Sequence, residues 1–156
     1  MSTRRVVKLT ATGKERLEAE LTDLRDHRGP QLAARIREAT ETGNVSDNAE
    51  YEEMKEEWAA LEARMRDLEQ TLANAEVIER DSPRGVVGLG SRVTLRADDG
   101  EEATWLIVSP EEANAREQRI SSDSPVGGAV MGSRAGDSAN VKTPRGVMTY
   151  TVVNVD

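Results

Sequence analysis

The stretch Thr42-Gly43-Asn44-Val45-Ser46-Asp47-Asn48-Ala49-Glu50-Tyr51 lies between two long segments with helical periodicity. It is short and polar, whereas the flanking segments are rich in strong helix formers. We therefore predict that residues 42–48 form the turn of a helical hairpin. A turn that carries carboxylates at the end of such a hairpin can bring negative charge deep into a narrow pocket.

The segment after this turn carries an unbroken heptad seam. Its apolar positions follow one another by alternating steps of three and four residues, and they are Tyr51, Met54, Trp58, Leu61, Met65, Leu68, Leu72 and Ala75. The preceding segment is less regular, and Gly29-Pro30 interrupts it, where proline predicts a kink. The apolar side chains of the seam must be buried against another segment. The nearest candidate is the preceding segment, folded back antiparallel. A dimeric coiled coil is the alternative on the seam alone.

The composition excludes several classes of site. The 156 residues include no cysteine, which excludes disulfides, thiolate zinc sites and cysteine nucleophiles. The net charge is −8, without a basic cluster long enough to bind duplex nucleic acid through counterion release. No apolar run approaches the length of a membrane span, and the N-terminus lacks a signal-peptide core. We therefore expect a cytoplasmic protein without membrane contact.

The helical pattern stops at Asp81-Ser82-Pro83-Arg84-Gly85, and strand-like alternation begins there. Between the predicted strands, Ser124 as N-cap and Pro125 at the first helical position predict a short helix. The fold class is therefore α+β, with a helical hairpin followed by a small, mostly antiparallel sheet. Four strands are predicted from alternation and flanking turns, over residues 92–95, 104–108, 139–142 and 148–153.

Concentrated polar chemistry occurs only at the predicted hairpin tip and its shoulders. Carboxylate oxygens are the ligands that Mg²⁺ prefers, and one or two of them can complete a site that another molecule half supplies. The same stretch also fits a helix start, because Asp47 and Glu50 have capping-box spacing. Both interpretations hold together, since a cap orients a carboxylate at an exposed tip. The residues concerned are Glu41, Asn44, Ser46, Asp47, Asn48 and Glu50.

Further stretches complete a pattern that spans the chain, and they are Leu9-Thr10-Ala11-Thr12-Gly13, Ala75-Glu76-Val77-Ile78 and Ile120-Ser121-Ser122-Asp123-Ser124-Pro125-Val126-Gly127-Gly128-Ala129. With the tip, these stretches make the chain resemble the bacterial Gre transcript cleavage factors of the GreA/GreB type. The resemblance implies an antiparallel coiled-coil hairpin over residues 1–80 and an FKBP-like, β-rich domain over residues 81–156. Prolyl isomerase activity is not expected, because that pocket needs an aromatic lining and this half offers only Trp105 and Tyr150.

The resemblance also implies a partner, bacterial RNA polymerase, and a function in transcription elongation. The globular domain would dock at the rim of the secondary channel through Asp123, Ser124 and Pro125, while the coil enters the channel. The tip would then reach the 3′ end of backtracked RNA and assist the polymerase's own nuclease activity. In the family two tip carboxylates help to hold a second Mg²⁺, which is shared with the polymerase, so the chain needs no cofactor of its own.

The tip departs from the family pattern Gly-Asp-Leu-Ser-Glu-Asn. Asn44 stands where the first aspartate belongs, and Asp47 replaces the glutamate. Asparagine keeps an oxygen ligand but loses the charge, and Asp47 is one methylene shorter. We expect Asp47 to be the principal catalytic carboxylate and metal ligand, Asn44 a neutral ligand, and Glu41 or Glu50 supporting carboxylates.

Two alternatives to a cleavage factor stay open at this point. The first is a Gre-like factor that occupies the same channel without cleaving RNA, and so regulates or inhibits transcription. The second, from a different class, is a coiled-coil adaptor with no polymerase role. The combination of the 123–125 loop with the tip argues against the adaptor, which has no reason to pair them.

Overall fold

A computed structural model describes residues 5–43 and 49–156. The chain divides into two compact units. One unit, Glu15–Asn74, is helical, and the other combines the described residues up to Lys14 with Ala75–Asp156. The fold is α+β, as the sequence predicts. The division differs from the predicted boundary between residues 80 and 81, because residues 7–9 pair with residues 75–77.

The helical unit has two arms that run in opposite directions. The first arm comprises α1 (Ala11–Asp23), a π-helical turn (Leu24–Arg28) and α2 (Gly29–Glu41). The second arm is α3 (Ala49–Ala73). Residues of both arms line one concavity. From Leu24 to Ala33 the first arm runs toward the hairpin turn, whereas from Trp58 to Met65 the second arm runs away from it. The arms therefore pack antiparallel within one chain, which is the arrangement that the heptad seam predicts.

The predicted heptad seam forms the packed face of α3. Met54, Leu61 and Leu68 are buried, and the other seam positions on α3 are half-buried. The charged residues between them are exposed. The helix ends at Ala73, so Ala75 belongs to a strand rather than to the seam. The first arm contributes a matching row of buried leucines, namely Leu17, Leu21, Leu24 and Leu32.

The interruption predicted at Gly29-Pro30 takes the form of the π turn. The Gly29 N–H donates to the carbonyl oxygen of Leu24, five residues back, which is the π-helical pattern. Proline lacks an N–H, and its ring crowds the carbonyl of the preceding turn, so a widened turn just before Pro30 relieves the conflict. A Cβ on Gly29 would lie 2.6 Å from the Leu24 carbonyl oxygen. The turn therefore needs glycine at this position although its backbone angles are ordinary helical ones.

Ion pairs across the arms supplement the apolar seam. The Arg64 guanidinium donates to both carboxylate oxygens of Glu20, at 2.5 and 2.9 Å. This hydrogen bonding lowers the pKa of Glu20 below its ordinary value of 4.5 and raises the pKa of Arg64. A carboxyl group whose pKa is lower in the folded protein than in the unfolded chain stabilises the fold at pH values above its unfolded-state pKa. This contribution is lost as the pH falls through the lowered pKa of the folded state. Both side chains are well exposed, so the pair contributes no more than about 1 kcal/mol.

The second unit is built on a five-stranded sheet in the order β5-β4-β3-β7-β6. Its strands are β3 (Arg92–Ala97), β4 (Glu102–Val108), β5 (Arg119–Ser121), β6 (Ser138–Thr143) and β7 (Gly146–Val155). All neighbours are antiparallel except β4 and β5. The four predicted strands are confirmed, whereas β5 was not predicted. The predicted short helix is α4 (Pro125–Val130). It contributes to the core of Val87, Val93, Leu95, Ile107, Val130 and Val152.

A separate parallel pair of strands joins distant parts of the sequence. The strands are β1 (Val7–Leu9), which precedes α1, and β2 (Ala75–Val77), which follows α3. Leu9 is fully buried, and its carbonyl oxygen accepts a 2.8 Å hydrogen bond from the Ile78 N–H. This pairing brings the segment before α1 and the segment after α3 together.

The buried carboxylate of Glu112 fixes the corner between β1 and α1. Its oxygens accept from the Thr10 N–H at 2.8 Å and from the Thr10 hydroxyl at 2.6 Å. Arg119, on β5, forms an ion pair with the same carboxylate, whose side chain is 3% exposed. The Thr10 hydroxyl oxygen also accepts from the Gly13 N–H at 3.0 Å and so caps the start of α1. A Cβ on Gly13 would lie 2.1 Å from the Glu112 carboxyl carbon, so the corner packs tightly.

Gly29→Ala should lower the stability of the helical unit, against the usual preference for alanine in helices. Alanine is favoured over glycine in a helix by about 1 kcal/mol. Here the new methyl meets a backbone oxygen, and overpacking of this kind costs about 1–3 kcal/mol. Thermal unfolding followed by circular dichroism measures the change. The matched control is Gly128→Ala on α4, where the Cβ would lie 3.4 Å from the nearest atom, the Ser122 carbonyl oxygen. A melting temperature for Gly29→Ala at or above that of the parent would contradict this account.

Glu112→Gln should destabilise the β-rich unit by about 3 kcal/mol, because it removes the buried anion that pairs with the half-buried Arg119 guanidinium and leaves only the more exposed Glu117 carboxylate, 4.0 Å away. Urea unfolding measures the free energy. Glu111→Gln, the same change at the neighbouring position, is the control and should stay within about 0.5 kcal/mol of the parent. Arg119→Met combined with Glu112→Gln should cost less than the two single changes added together. If the losses of unfolding free energy of the two single variants add up to the loss of the double variant, the ion pair contributes nothing.

Candidate functional site

The loop between β5 and α4 presents the three predicted docking residues together. Asp123 and Pro125 are exposed, and Ser124 is half-buried. Ser124 is the N-cap of α4 and Pro125 its first residue, as the sequence predicts. Proline suits this position because its fixed φ is helical and its missing N–H would have no helical acceptor.

Short hydrogen bonds fix the backbone of this loop. The Ser124 hydroxyl accepts from the Gly127 N–H at 3.0 Å and donates to the Ser121 carbonyl oxygen at 2.7 Å. The Ser124 N–H donates to the same carbonyl oxygen at 3.0 Å. The Ser121 hydroxyl oxygen accepts from the Asp123 N–H at 2.9 Å. Within the described ranges the Asp123 carboxylate has no hydrogen-bond or ion-pair partner. Asp123 is exposed, so its carboxylate faces solvent from a hydrogen-bonded loop.

An apolar concavity of about 310 Å³ lies beside the loop. Ser124 and Pro125 form part of its wall, and the aromatic rings of Trp105 and Tyr150 line it together. The sequence predicts only that these two rings belong to the same half of the chain. The remaining lining residues are Ile120, Val126, Val141, Lys142, Thr143 and Pro144.

The shoulders of the hairpin turn carry the two predicted supporting carboxylates. Glu41 is the last residue of α2, Glu50 lies in the first turn of α3, and both are exposed. The helix dipole favours a carboxylate at a helix start and disfavours it at a helix end, by about 0.3–1 kcal/mol. Helix stability therefore explains Glu50, whereas it does not explain Glu41.

The remaining tip residues Asn44, Ser46, Asp47 and Asn48 lie outside the described residues. The capping box and the catalytic roles assigned to Asp47 and Asn44 therefore stay predictions. In the part of the chain that the structure describes, no three metal-ligating side chains come together. A cation site that used Glu41 or Glu50 would need further ligands.

A further concavity, of about 450 Å³, is lined by residues of α2 and of the first half of α3. Tyr51 and Trp58 line it together with the positively charged Arg37 and Lys55. The Lys55 ammonium lies 5.3 Å from the centre of the Tyr51 ring, which is a cation–π distance. Two cations and two aromatic rings therefore line one concavity of an acidic protein.

Sequence reasoning missed the residues that support the 123–125 loop. Ser121 stands two positions before Asp123, which is the spacing at which a serine hydroxyl accepts from a backbone N–H. That spacing was available in the sequence. The contact between Gly127 and Ser121 was not, because it depends on how α4 packs on β5.

No helix in residues 5–43 and 49–156 is long and apolar enough to cross a membrane.

Two family models match the chain. The model described as "Transcription elongation factor, N-terminal" matches residues 7–77, and the model described as "Transcription elongation factor, GreA/GreB, C-term" matches residues 82–156.

Individual proteins match over nearly their full lengths. Transcription elongation factor GreA of Chloroflexus aurantiacus is 48% identical over 149 residues, which cover 94% of this chain and 95% of that protein. The GreA of Thermotoga maritima is 42% identical over 150 residues, with 96% of each chain covered. Among solved structures, the GreA factor homolog 1 protein of Thermus thermophilus is 37% identical, with 97% of this chain and 99% of that chain covered and a TM-score of 0.46. The chain therefore belongs to the GreA/GreB family of transcription elongation factors.

Proposed function

We propose that this protein binds bacterial RNA polymerase through the secondary channel and stimulates cleavage of backtracked RNA. The observation that carries the proposal is the match to both family models, which together span residues 7–77 and 82–156. The same chain thus combines a helical hairpin, whose turn contains Asp47, with an exposed Asp-Ser-Pro loop. The adaptor alternative does not account for this combination.

We also propose that the β-rich unit is FKBP-like and that it serves docking rather than prolyl isomerisation. A mostly antiparallel sheet with one short helix packed on its core supports the first part. The concavity beside α4 has two aromatic residues, Trp105 and Tyr150, which is a sparse lining for a proline-binding pocket. The exposed loop at its wall supports a docking role.

Docking would depend on the exposed carboxylate of Asp123. Because it has no partner among residues 5–43 and 49–156, its charge is available to a cation on another protein. Because the loop backbone is already fixed by Ser121 and Ser124, little conformational freedom is lost when it binds. Ser124 and Pro125 would contact the polymerase beside it, while the hairpin, which we propose to be a coiled coil, enters the channel.

At the tip, Asp47 would be the principal carboxylate, and Asn44 would offer a neutral oxygen. Both residue types suit Mg²⁺ as oxygen ligands, but they leave a site that the polymerase must complete. A Mg²⁺ ion shared with the polymerase would supply charge at the scissile phosphate and lower the pKa of the attacking water. Glu41 and Glu50, on the shoulders, would add negative charge near that ion.

Arg37 and Lys55 would approach the backtracked RNA rather than the metal. Their concavity combines positive charge with aromatic rings, and these are the features that bind single-stranded nucleic acid without sequence preference. In this proposal the cations attract the RNA phosphates, whereas the carboxylates bind Mg²⁺.

A non-cleaving, channel-occupying regulator is the second candidate, and Asn44 is the observation that favours it. Loss of one of the family's two tip carboxylates removes charge from the reacting centre without touching the docking surface. The two functions share the partner and the binding mode, so only the cleavage rate separates them.

Asp123→Arg should weaken association with RNA polymerase by at least about tenfold, since rim charges set orientation and association. The fold should stay intact because the side chain is exposed. Competition binding with purified polymerase measures the affinity. Glu101→Arg, the same charge reversal on the exposed turn between β3 and β4, is the control. Equal affinity of the two variants would remove this loop from the docking surface.

Asn44→Asp should raise the rate of cleavage in a backtracked complex by about tenfold, which corresponds to about 1.4 kcal/mol of barrier. The gain should be larger at low Mg²⁺ concentration, because a single carboxylate competes poorly with the waters that Mg²⁺ keeps. Single-turnover RNA cleavage measures the rate, and polymerase affinity should not change. A parent protein that already cleaves as fast as Asn44→Asp would mean that Glu41 or Glu50 supplies the missing charge.

The companion change Asp47→Asn separates the metal role from the capping role. Asparagine caps helices about as well as aspartate but carries no charge. Cleavage should fall to the rate of polymerase alone, while thermal unfolding stays unchanged. If Asp47→Asn cleaves as fast as the parent, Asp47 is a helix cap alone.

A further inference from the structure

We infer that Ser121 and Gly127 are positioning residues for polymerase docking, and that they set the place from which the Asp123 carboxylate acts. The inference rests on the proposed docking role of residues 123–125. Neither residue belongs to the Asp-Ser-Pro sequence, and neither needs to touch the polymerase. They act through the backbone of the loop.

Ser121 is a fixed point because it belongs to the sheet. It pairs with Val108 as the last residue of β5, and the next N–H, that of Ser122, donates to the Val108 carbonyl oxygen at 2.9 Å. From this position Ser121 binds the loop through two of its atoms, the hydroxyl oxygen and the carbonyl oxygen. Its hydroxyl oxygen accepts from the Asp123 N–H at 2.9 Å, and its carbonyl oxygen accepts from the Ser124 hydroxyl at 2.7 Å. The residues before and after the bend are thereby tied to one strand end.

Gly127 allows the first turn of α4 to approach that strand end. It is buried, and a Cβ built on it would lie 2.0 Å from the Ser121 carbonyl oxygen and 2.9 Å from the Ser124 hydroxyl oxygen. Its φ is not in the left-handed region, so close approach rather than backbone conformation requires glycine here. Any side chain would separate Ser121 from Ser124 and displace the loop between them.

Gly128 provides a matched comparison within the same helix. It is exposed, and a Cβ there would lie 3.4 Å from its nearest atom, the Ser122 carbonyl oxygen. Replacement of either glycine by alanine adds one methyl group and has the same effect on helix propensity. The two variants therefore differ only in whether the methyl meets the strand end that holds the loop.

The first experiment measures competition binding of the full-length variants to purified bacterial RNA polymerase. Gly127→Ala should weaken binding by at least about tenfold, and Gly128→Ala should stay within twofold of the parent. Asp123→Arg is measured in the same assay as the reference. If Asp123→Arg binds like the parent, the proposed docking loop is wrong. If Asp123→Arg is weak while Gly127→Ala binds like the parent, the positioning role is overturned and the docking loop stands.

A second set of variants keeps the inference testable if Gly127→Ala fails to fold. Ser121→Ala removes the hydroxyl that holds the Asp123 N–H and should weaken binding by about fivefold, the size of one lost hydrogen bond. Ser121→Thr retains a hydroxyl and should restore binding to within twofold of the parent. Ser122→Ala, the same deletion one residue away, is the control. Equal losses for Ser121→Ala and Ser121→Thr would overturn the role of the hydroxyl.

Discussion

The buried carboxylate of Glu112 is the interaction on which the β-rich unit depends. It binds Thr10 at the start of α1 and Arg119 on β5, which lie more than 100 residues apart in sequence. Burying a carboxylate costs free energy unless each of its oxygens has a hydrogen-bond or ion-pair partner. Both oxygens of Glu112 have such partners. The cluster therefore specifies one position for the N-terminal segment. Without it, Thr10, which caps α1, would lose two hydrogen bonds, and Arg119 would lose its closest anionic partner.

The same strand, β5, leads into the proposed docking loop at its other end. Arg119 pairs with Glu112, whereas Ser121 holds the backbone of Asp123. A strand of three residues thus anchors the helix start and the proposed polymerase contact within one unit. The core beneath it explains why the strand holds its place, because Ile107 on β4 is fully buried opposite Ile120.

Local patterns predicted the elements that are stabilised locally. The heptad seam, the four longer strands and the Ser124 cap follow from periodicity and from turn chemistry within a few residues. The sequence did not predict β5 or the β1–β2 pair, because strands of three residues have no readable alternation and owe their pairing to distant partners. Glu112 was missed for the same reason. In sequence it is one more carboxylate in an acidic chain, and its importance comes from burial. Gly29-Pro30 signalled an interruption, but its π-helical form depends on the Leu24 carbonyl.

The proposed docking and cleavage roles fall on different parts of the sequence. The proposed docking loop around Asp123 belongs to the β-rich unit, whereas the proposed cleavage role rests on the carboxylate of Asp47 and the amide of Asn44. The most direct test of the account is therefore RNA cleavage in a stalled, backtracked complex of bacterial RNA polymerase, measured with and without the parent protein over a range of Mg²⁺ concentrations. The account predicts cleavage above the rate of polymerase alone that increases with Mg²⁺ and saturates with added protein. A protein that binds the polymerase tightly and leaves the cleavage rate unchanged or lower at every Mg²⁺ concentration would contradict it.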